Sequence, residues 1–443
     1  MRDSGRVSAA IAILEDFDRR RVPLKTAIAD WARNARYAGA KDRAWISGLC
    51  LDVMRRRASL GATMSDSSPR AATLAALRLM WRRSEDEVEY LASEEPHGPG
   101  GLTEVERDRL RLCAPAPAEN ERNLSLSVLG DFPEWMESSV ERVFGARALE
   151  EMRALSSRAD VDLRINTLQA PVEKALSAIS KVGAEAHPFV RSAARIPAPD
   201  PAKRAPAVTI IPAFNKGWVE VQDLASQISA CASGDVKGAQ VLDFCAGGGG
   251  KTLALAAMME NMGQLYAYDI DARRFKPLYD RARRAGVRNL QIINPASDAG
   301  MLEALAGKMD VAFVDAPCTG SGTWRRHPDA KWRLREDQLK KRLEEQDNVL
   351  NAAAQFVKPG GRLVYATCSF LMEENEDRLS VFRTAHPEFE PVRALDSIDQ
   401  SGLLAGPGRD ALKTCETQDG ALRITPARIG ADGFYVSVMT RKR

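Results

Sequence analysis

Several things are missing from this 443-residue chain, and each absence narrows its function. No stretch approaches the roughly 18 apolar residues of a membrane span, and the start, MRDSGRV, has no apolar signal-peptide core. A soluble, cytoplasmic protein without a membrane partner is therefore expected. The seven cysteines are an odd number with no CxxC pair, which argues against a disulfide framework and for a reducing compartment. Only four histidines occur, His97, His187, His327 and His386, and none joins a cysteine at a zinc-ligand spacing, so no metal is expected.

Two of the cysteines stand out. Cys318 and Cys368 each close an apolar run, DVAFVDAPC and GRLVYATC, that reads as a buried parallel strand. Two thiols would then meet at the carboxyl edge of one sheet, where open α/β sheets bind ligands. A thiol on a rigid strand end is a candidate nucleophile. Buried structural cysteines are the plainer alternative for either one alone. Cys50, Cys113, Cys231 and Cys415 lie in no comparable motif and read as core residues.

The net charge of +3 is unevenly placed, because residues 1–83 carry nine net positive charges and the remainder six net negative. Basic blocks such as Arg19-Arg20-Arg21 and Arg55-Arg56-Arg57 suit a phosphate backbone, although a solvated helix face would look the same. Val7, Ala10, Ile11, Leu14 and Phe17 recur at helical spacing, as do Ile46, Leu49, Cys50 and Val53. Residues 1–120 are thus expected to form a helical, RNA-binding domain. Residues 121–203 mix a helix entered at Pro133, an alternating strand DLRINTL and a helix ending at Gly183, which suggests a small α+β connector. The Pro-rich stretch 197–207 would be a hinge to a final domain, 204–443.

That final domain alternates strands and helices. QVLDFC, LYAYDI, LQIIN, DVAFVDA and GRLVYATC are strand-like, and most are separated by helical stretches, as in a doubly wound sheet. The first strand runs into Ala246, Gly247, Gly248, Gly249, Gly250 and Lys251, then a helix. A phosphate-binding P-loop needs glycine where Cys245 stands, and the dinucleotide fingerprint needs glycine at Thr252. Asp269, about 20 residues past the loop, is placed to accept hydrogen bonds from a ribose. An adenosine ligand without a critical phosphate fits best, and S-adenosylmethionine is the obvious candidate.

VLDFCAGGGGKT, AYDID, VDAPCTGSGTWRRHPDAKW and VYATCSFLMEENE together resemble the successive motifs of the RsmB/Sun family of RNA 5-methylcytosine methyltransferases. LRINTL and VQDLASQ are similar to that family's upstream signatures, and the basic module around KDRAWISGLCLDVMRR resembles a NusB-like domain. The resemblance implies an α/β fold: a Rossmann-like class I methyltransferase domain preceded by an α+β connector and an all-helical NusB-like domain. It implies S-adenosylmethionine as cofactor, lined by residues 245–251, Asp269, Asp298 and Asp315. It implies a covalent mechanism with Cys368 as nucleophile, Cys318 assisting release, and Asp315 and Lys251 in the active site. The partner would be RNA, expected to be 16S ribosomal RNA, bound by a monomer. The family usually has Ala-Pro-Gly-Gly-Lys where this chain has Gly247 to Lys251, so a proline is replaced by glycine.

Three questions stay open in the sequence. Asp298 reads equally well as a helix cap. Trp324 to Trp332 mixes aromatics and cations, which suits phosphates and stacked bases or else a contact with buried tryptophans. Transfer RNA as substrate, or a non-catalytic role in ribosome assembly, are the alternatives to ribosomal RNA methylation.

Overall fold

A computed structural model describes residues 1–112, 123–198 and 208–443. The boundary expected near residue 120 and all but the first two residues of the Pro-rich hinge lie outside them. The described residues group into two compact units, one of residues 1–158 with 324–334, the other of 159–198, 208–323 and 335–443. This grouping cuts across the expected connector: its helices up to Leu155 belong to the first unit and its strands to the second.

The first unit is helical. It opens with α1 (Asp3–Arg20), α2 (Leu24–Asn34) and α3 (Ala40–Arg55), followed by Arg57–Met64, Pro69–Leu79, Glu85–Ser93 and Glu104–Leu112. Val7, Ala10, Leu14 and Phe17 of α1 meet Ile46, Leu49, Cys50 and Val53 of α3 in one core, as the 3.6-residue spacing requires. Ser68 caps the helix behind it by accepting the Ala71 N–H, and Ser84 and Glu87 form a capping box.

The segment 324–334 is part of this unit, and several of its polar groups are engaged there. Asp329 accepts the N–H of Leu24 at 3.1 Å, capping α2 where Pro23 offers no side-chain cap. Trp332 donates its indole N–H to the Met54 carbonyl at 2.7 Å. Lys331, fully buried, donates to the Arg55 carbonyl at 2.8 Å and to Ser156 at 3.0 Å, and burial pushes its ammonium pKa down to about 7. Trp324, Arg325 and Asp329 are buried too. Of the two readings left open in the sequence, these contacts favour packing of the segment over stacking of bases on its tryptophans.

The second unit holds two sheets. β1 (Val161–Ile165), β2 (Glu185–Ala186), β3 (Ala193–Ile196) and β4 (Val219–Val221) form an antiparallel sheet in the order β2-β3-β1-β4. The larger sheet runs β10-β12-β9-β8-β5-β6-β7, with β11 paired to β12. Its strands are β5 (Gln240–Asp243), β6 (Gln264–Tyr268), β7 (Leu290–Ile293), β8 (Met309–Asp315) and β9 (Val357–Thr367), then β10 (Phe389–Val392), β11 (Leu422–Ile424) and β12 (Phe434–Arg441). β5 to β9 are mutually parallel, whereas β10 to β12 add antiparallel pairs.

Both faces of the central strands are covered. Val241, Phe313 and Val364 enter one core while Leu242, Ala312, Val314 and Leu363 enter the other. Double burial explains why these strands read as unbroken apolar runs. The chain steps from β5 through β6 to β7 in one direction and resumes at β8 on the other side of β5. The carboxyl ends of β5 and β8 therefore flank the topological switch point, where a ligand crevice forms.

Candidate active site

The residues after β5 form the glycine loop. Gly247 and Gly249 have φ of 50° and 82°, and a Cβ on Gly249 would lie 2.2 Å from Leu278. Both positions favour glycine, and at Gly249 the Leu278 contact excludes any side chain. Gly248 lies outside the left-handed region. The nine-residue helix Gly250–Met258 follows.

Asp269, 2% exposed just beyond β6, accepts the Gly247 N–H at 2.9 Å and the Arg274 guanidinium at 2.8 Å through Oδ2, while Oδ1 accepts the Asp271 N–H at 3.0 Å. Beneath the loop, Asp243 accepts the Thr252 hydroxyl at 2.7 Å through Oδ2, and its buried Oδ1 has no partner among the described residues. Burial pushes this carboxyl up to about 7. A turn that favours glycine, a carboxylate beside it and an unpartnered buried acceptor under it fit a nucleoside ligand with donor groups.

Lys251 carries the loop toward β8. Its Nζ donates to Asp315 Oδ2 at 2.7 Å and sits 5.0 Å from the centre of the Phe434 ring. Burial alone would lower this amine's pKa, but the Asp315 carboxylate outweighs it and raises the pKa, with Cys368 and Asp243 adding to the rise. Lys251 is thus a buried ammonium. Asp315 keeps a third of its side chain exposed and its Oδ1 outside any hydrogen bond among the described residues.

The two motif thiols meet: Cys318 Sγ and Cys368 Sγ are 3.3 Å apart. Cys368 follows the last residue of β9, whereas Cys318 stands three residues beyond β8, in the loop after Pro317. The hydrogen bond with Cys368, reinforced by burial, pushes the Cys318 thiol well above its ordinary range.

Other residues fasten the two cysteine loops together. Gly322 donates to the Cys368 carbonyl at 3.0 Å, Gly433 donates to the Gly322 carbonyl at 2.8 Å, and the Ser321 and Ser369 hydroxyls are 2.9 Å apart. Glu374, buried after Cys368, accepts the Thr319 N–H at 2.8 Å, the Thr319 hydroxyl at 2.5 Å and the Gln346 amide at 2.9 Å. Burial raises its pKa. Sequence reasoning missed Asp243, Glu374 and this web of small residues. The signals available were an acid at the end of an apolar strand and the EEN run directly behind an apolar stretch.

The expected cofactor residues therefore converge, with one outlier. Residues 245–251, Asp269 and Asp315 lie at adjoining ends of β5, β6 and β8. Asp298 instead accepts the Asn294 N–H at 3.0 Å and the Ser297 hydroxyl at 2.9 Å behind β7. No hydrogen bond joins it to the glycine loop among the described residues, and it makes no side-chain cap to the short helix after it.

Residues 234–440 match the family model of the 16S rRNA methyltransferase RsmB/F. The chain is 30% identical over 348 residues to ribosomal RNA small subunit methyltransferase B of Photorhabdus laumondii, spanning 77% of this chain and 72% of that one. This chain belongs to the RsmB/F family. The corresponding methyltransferase of Klebsiella pneumoniae is 31% identical over 325 residues, 72% of this chain and 70% of its own. Among solved structures, PH0851 aligns with a TM-score of 0.70 at 25% identity, covering 100% of this chain and 99% of that one. The Pyrococcus horikoshii NSun6 structure with SFG aligns at 0.58 and 20% identity, over 71% of this chain and all of its own, and shares the fold. As an RsmB/F member the chain is an S-adenosylmethionine-dependent RNA 5-methylcytosine methyltransferase.

Proposed function

We propose that the protein methylates carbon 5 of a cytosine in 16S ribosomal RNA through a transient covalent bond between Cys368 and carbon 6, acting in the cytoplasm as a monomer. The observation that carries the mechanism is the 3.3 Å thiol pair beside the Lys251–Asp315 ion pair. The assignment of Cys368 as nucleophile and Cys318 as the releasing group follows the order of the two cysteine motifs in the family that the chain resembles.

Addition of the Cys368 thiolate at carbon 6 pushes electrons toward carbon 5, making it an enamine-like nucleophile. Asp315, through its free Oδ1, accepts from the exocyclic amine of the activated base, while ring nitrogen 3 takes a proton from solvent and returns it on release. When bound, S-adenosylmethionine supplies an electrophilic methyl group. The glycine loop and Asp269 would hold its nucleoside part, with Lys251 and Asp315 bordering both ligands. Release then needs the carbon 5 proton removed as the sulfur–carbon 6 bond breaks. Cys318 can hand its proton to the departing Cys368 sulfur and take up the carbon 5 proton, after which one proton is lost to solvent.

Two measurements test this reading. Mapping 5-methylcytosine in total RNA from cells with and without the protein should show one or a few 16S positions lost; a transfer RNA position lost instead would redirect the substrate. With purified protein, Cys368→Ala should be inactive and leave no adduct. Cys318→Ala should methylate once and accumulate a protein–RNA conjugate stable to denaturing electrophoresis. An adduct from Cys368→Ala alone would reverse the two roles.

A further inference from the structure

Most of the positive charge in residues 1–83 is spent inside the helical unit. Asp3 and Asp42 hold Arg6, Asp16 holds Arg19 and Arg20, Asp18 holds Arg57, Asp30 holds Arg33, and Asp52 holds Arg55. Glu94, Glu106 and Glu87 take up Arg2, Arg70 and Arg83. Several exposed cations are left without a carboxylate partner among the described residues, Arg21, Lys25, Arg56 and Arg82 among them, and three more stand close together in sequence. Arg36, Lys41 and Arg43 are exposed and have no carboxylate partner among the described residues, and all three lie at the corner that joins α2 to α3.

The corner is held by its own backbone and buried side. Ala38 donates to the Ala35 carbonyl at 3.0 Å, Arg43 donates to the Gly39 carbonyl at 3.0 Å, and both alanines are buried. Its one acid, Asp42, is buried, accepts the Gly39 N–H at 2.8 Å and is covered by Arg6 at 2.7 Å, so the outward cations face solvent unopposed. Between them stands Tyr37, 73% exposed. A lone exposed tyrosine is ordinary. One flanked by three unpaired cations on a fixed turn is the combination that unpaired RNA uses, phosphates on the cations and a base on the ring.

We propose that the α2–α3 corner is a binding face for unpaired RNA, with Arg36, Lys41 and Arg43 on the phosphates and Tyr37 stacked beneath a base. The proposal rests on the RNA-methylating function above and adds where this chain grips its substrate away from the thiols. A membrane surface is a poorer fit. Within residues 1–55 the large apolar side chains left exposed are Met1 and Tyr37, so little could enter a bilayer.

Full-length protein carrying Arg36→Gln, Lys41→Gln and Arg43→Gln, and separately Tyr37→Ala, should be compared with wild type by fluorescence anisotropy. The probes are a labelled 20-nucleotide single-stranded RNA of mixed sequence, its duplex, and vesicles containing phosphatidylserine. The triple variant should lower the slope of log affinity against log salt by about 2 for the single strand, at roughly 0.7 per phosphate. Tyr37→Ala should lower affinity on the order of fivefold or more with the slope unchanged. Melting temperature and S-adenosylmethionine binding should stay at wild-type values in both. Unchanged RNA affinity and slope in a wild type that methylates RNA would overturn the proposal and leave the enzymatic reading standing. A loss confined to duplex or to vesicles would also overturn it. A wild type that yields no 5-methylcytosine would instead remove the reading beneath it.

Discussion

At the scale of single residues, the site is defined by ionisable groups that burial and close neighbours push from their ordinary behaviour. Asp243 shows the sign of the effect. Burial raises its carboxyl to about 7, whereas in the unfolded chain it titrates near 3.9. The folded state therefore holds this proton more tightly. Its contribution to stability is complete below about pH 4 and is lost as pH rises through about 7. The loss is on the order of 2–4 kcal/mol at a little over 1 kcal/mol per unit. Asp243→Asn, which cannot ionise, should show a flatter fall in melting temperature between pH 5 and pH 8 than wild type. Parallel profiles would mean that the carboxyl does not titrate in this window.

At the scale of elements, the strand ends matter because two loops must hold two sulfurs 3.3 Å apart. Gly322 is the tightest point: a Cβ there would lie 1.9 Å from the Gly433 carbonyl oxygen, a backbone atom that cannot swing away. Gly322→Ala should cost about 1–3 kcal/mol of stability by overpacking. Because Gly322 also donates to the Cys368 carbonyl, the same substitution should lower kcat while leaving S-adenosylmethionine affinity near wild type, as turnover assays and calorimetry would show. Equal loss of turnover and cofactor binding would point to general unfolding.

How much of this was legible follows from the physics of each element. The parallel strands were readable because both faces are buried, so Val241 and Leu242 are apolar alike although they enter different cores. β10 was not read, since Phe389-Glu390-Pro391-Val392 is short and contains a proline. Cys318 and Cys368 were legible as a pair because each follows an apolar run. Glu374 was hidden because a buried, hydrogen-bonded acid is indistinguishable in sequence from a solvated one. The packing of Trp324 to Leu334 was hidden for another reason: its partners, such as Leu24 and Met54, lie some 300 residues away, and no local periodicity records them.

At the scale of the whole molecule, that segment means the helical unit is discontinuous in sequence. Residues 1–158 alone would lack the Asp329 cap on α2, the indole on the Met54 carbonyl and the ammonium on the Arg55 carbonyl. Losing a cap alone costs about 1 kcal/mol. A 1–158 fragment should therefore melt well below the full-length protein. A synthetic 324–334 peptide should raise its melting temperature in proportion to binding, while a Trp332→Ala, Lys331→Ala peptide should not. A fragment as stable without the peptide as with it would show that the segment is dispensable.

The discontinuity also sets an order of events on the ribosome. The helices up to Leu155 emerge early, yet the residues that finish their packing are synthesised only after a further long stretch of chain. At roughly 5–20 residues per second that delay is on the order of 10–35 s. For that interval the newborn helices carry an open seam along α2 and α3 beside a surplus of arginine. The protein thus enters the cell with a basic, unfinished amino-terminal body, and it is closed only when translation delivers the piece just beyond Cys318.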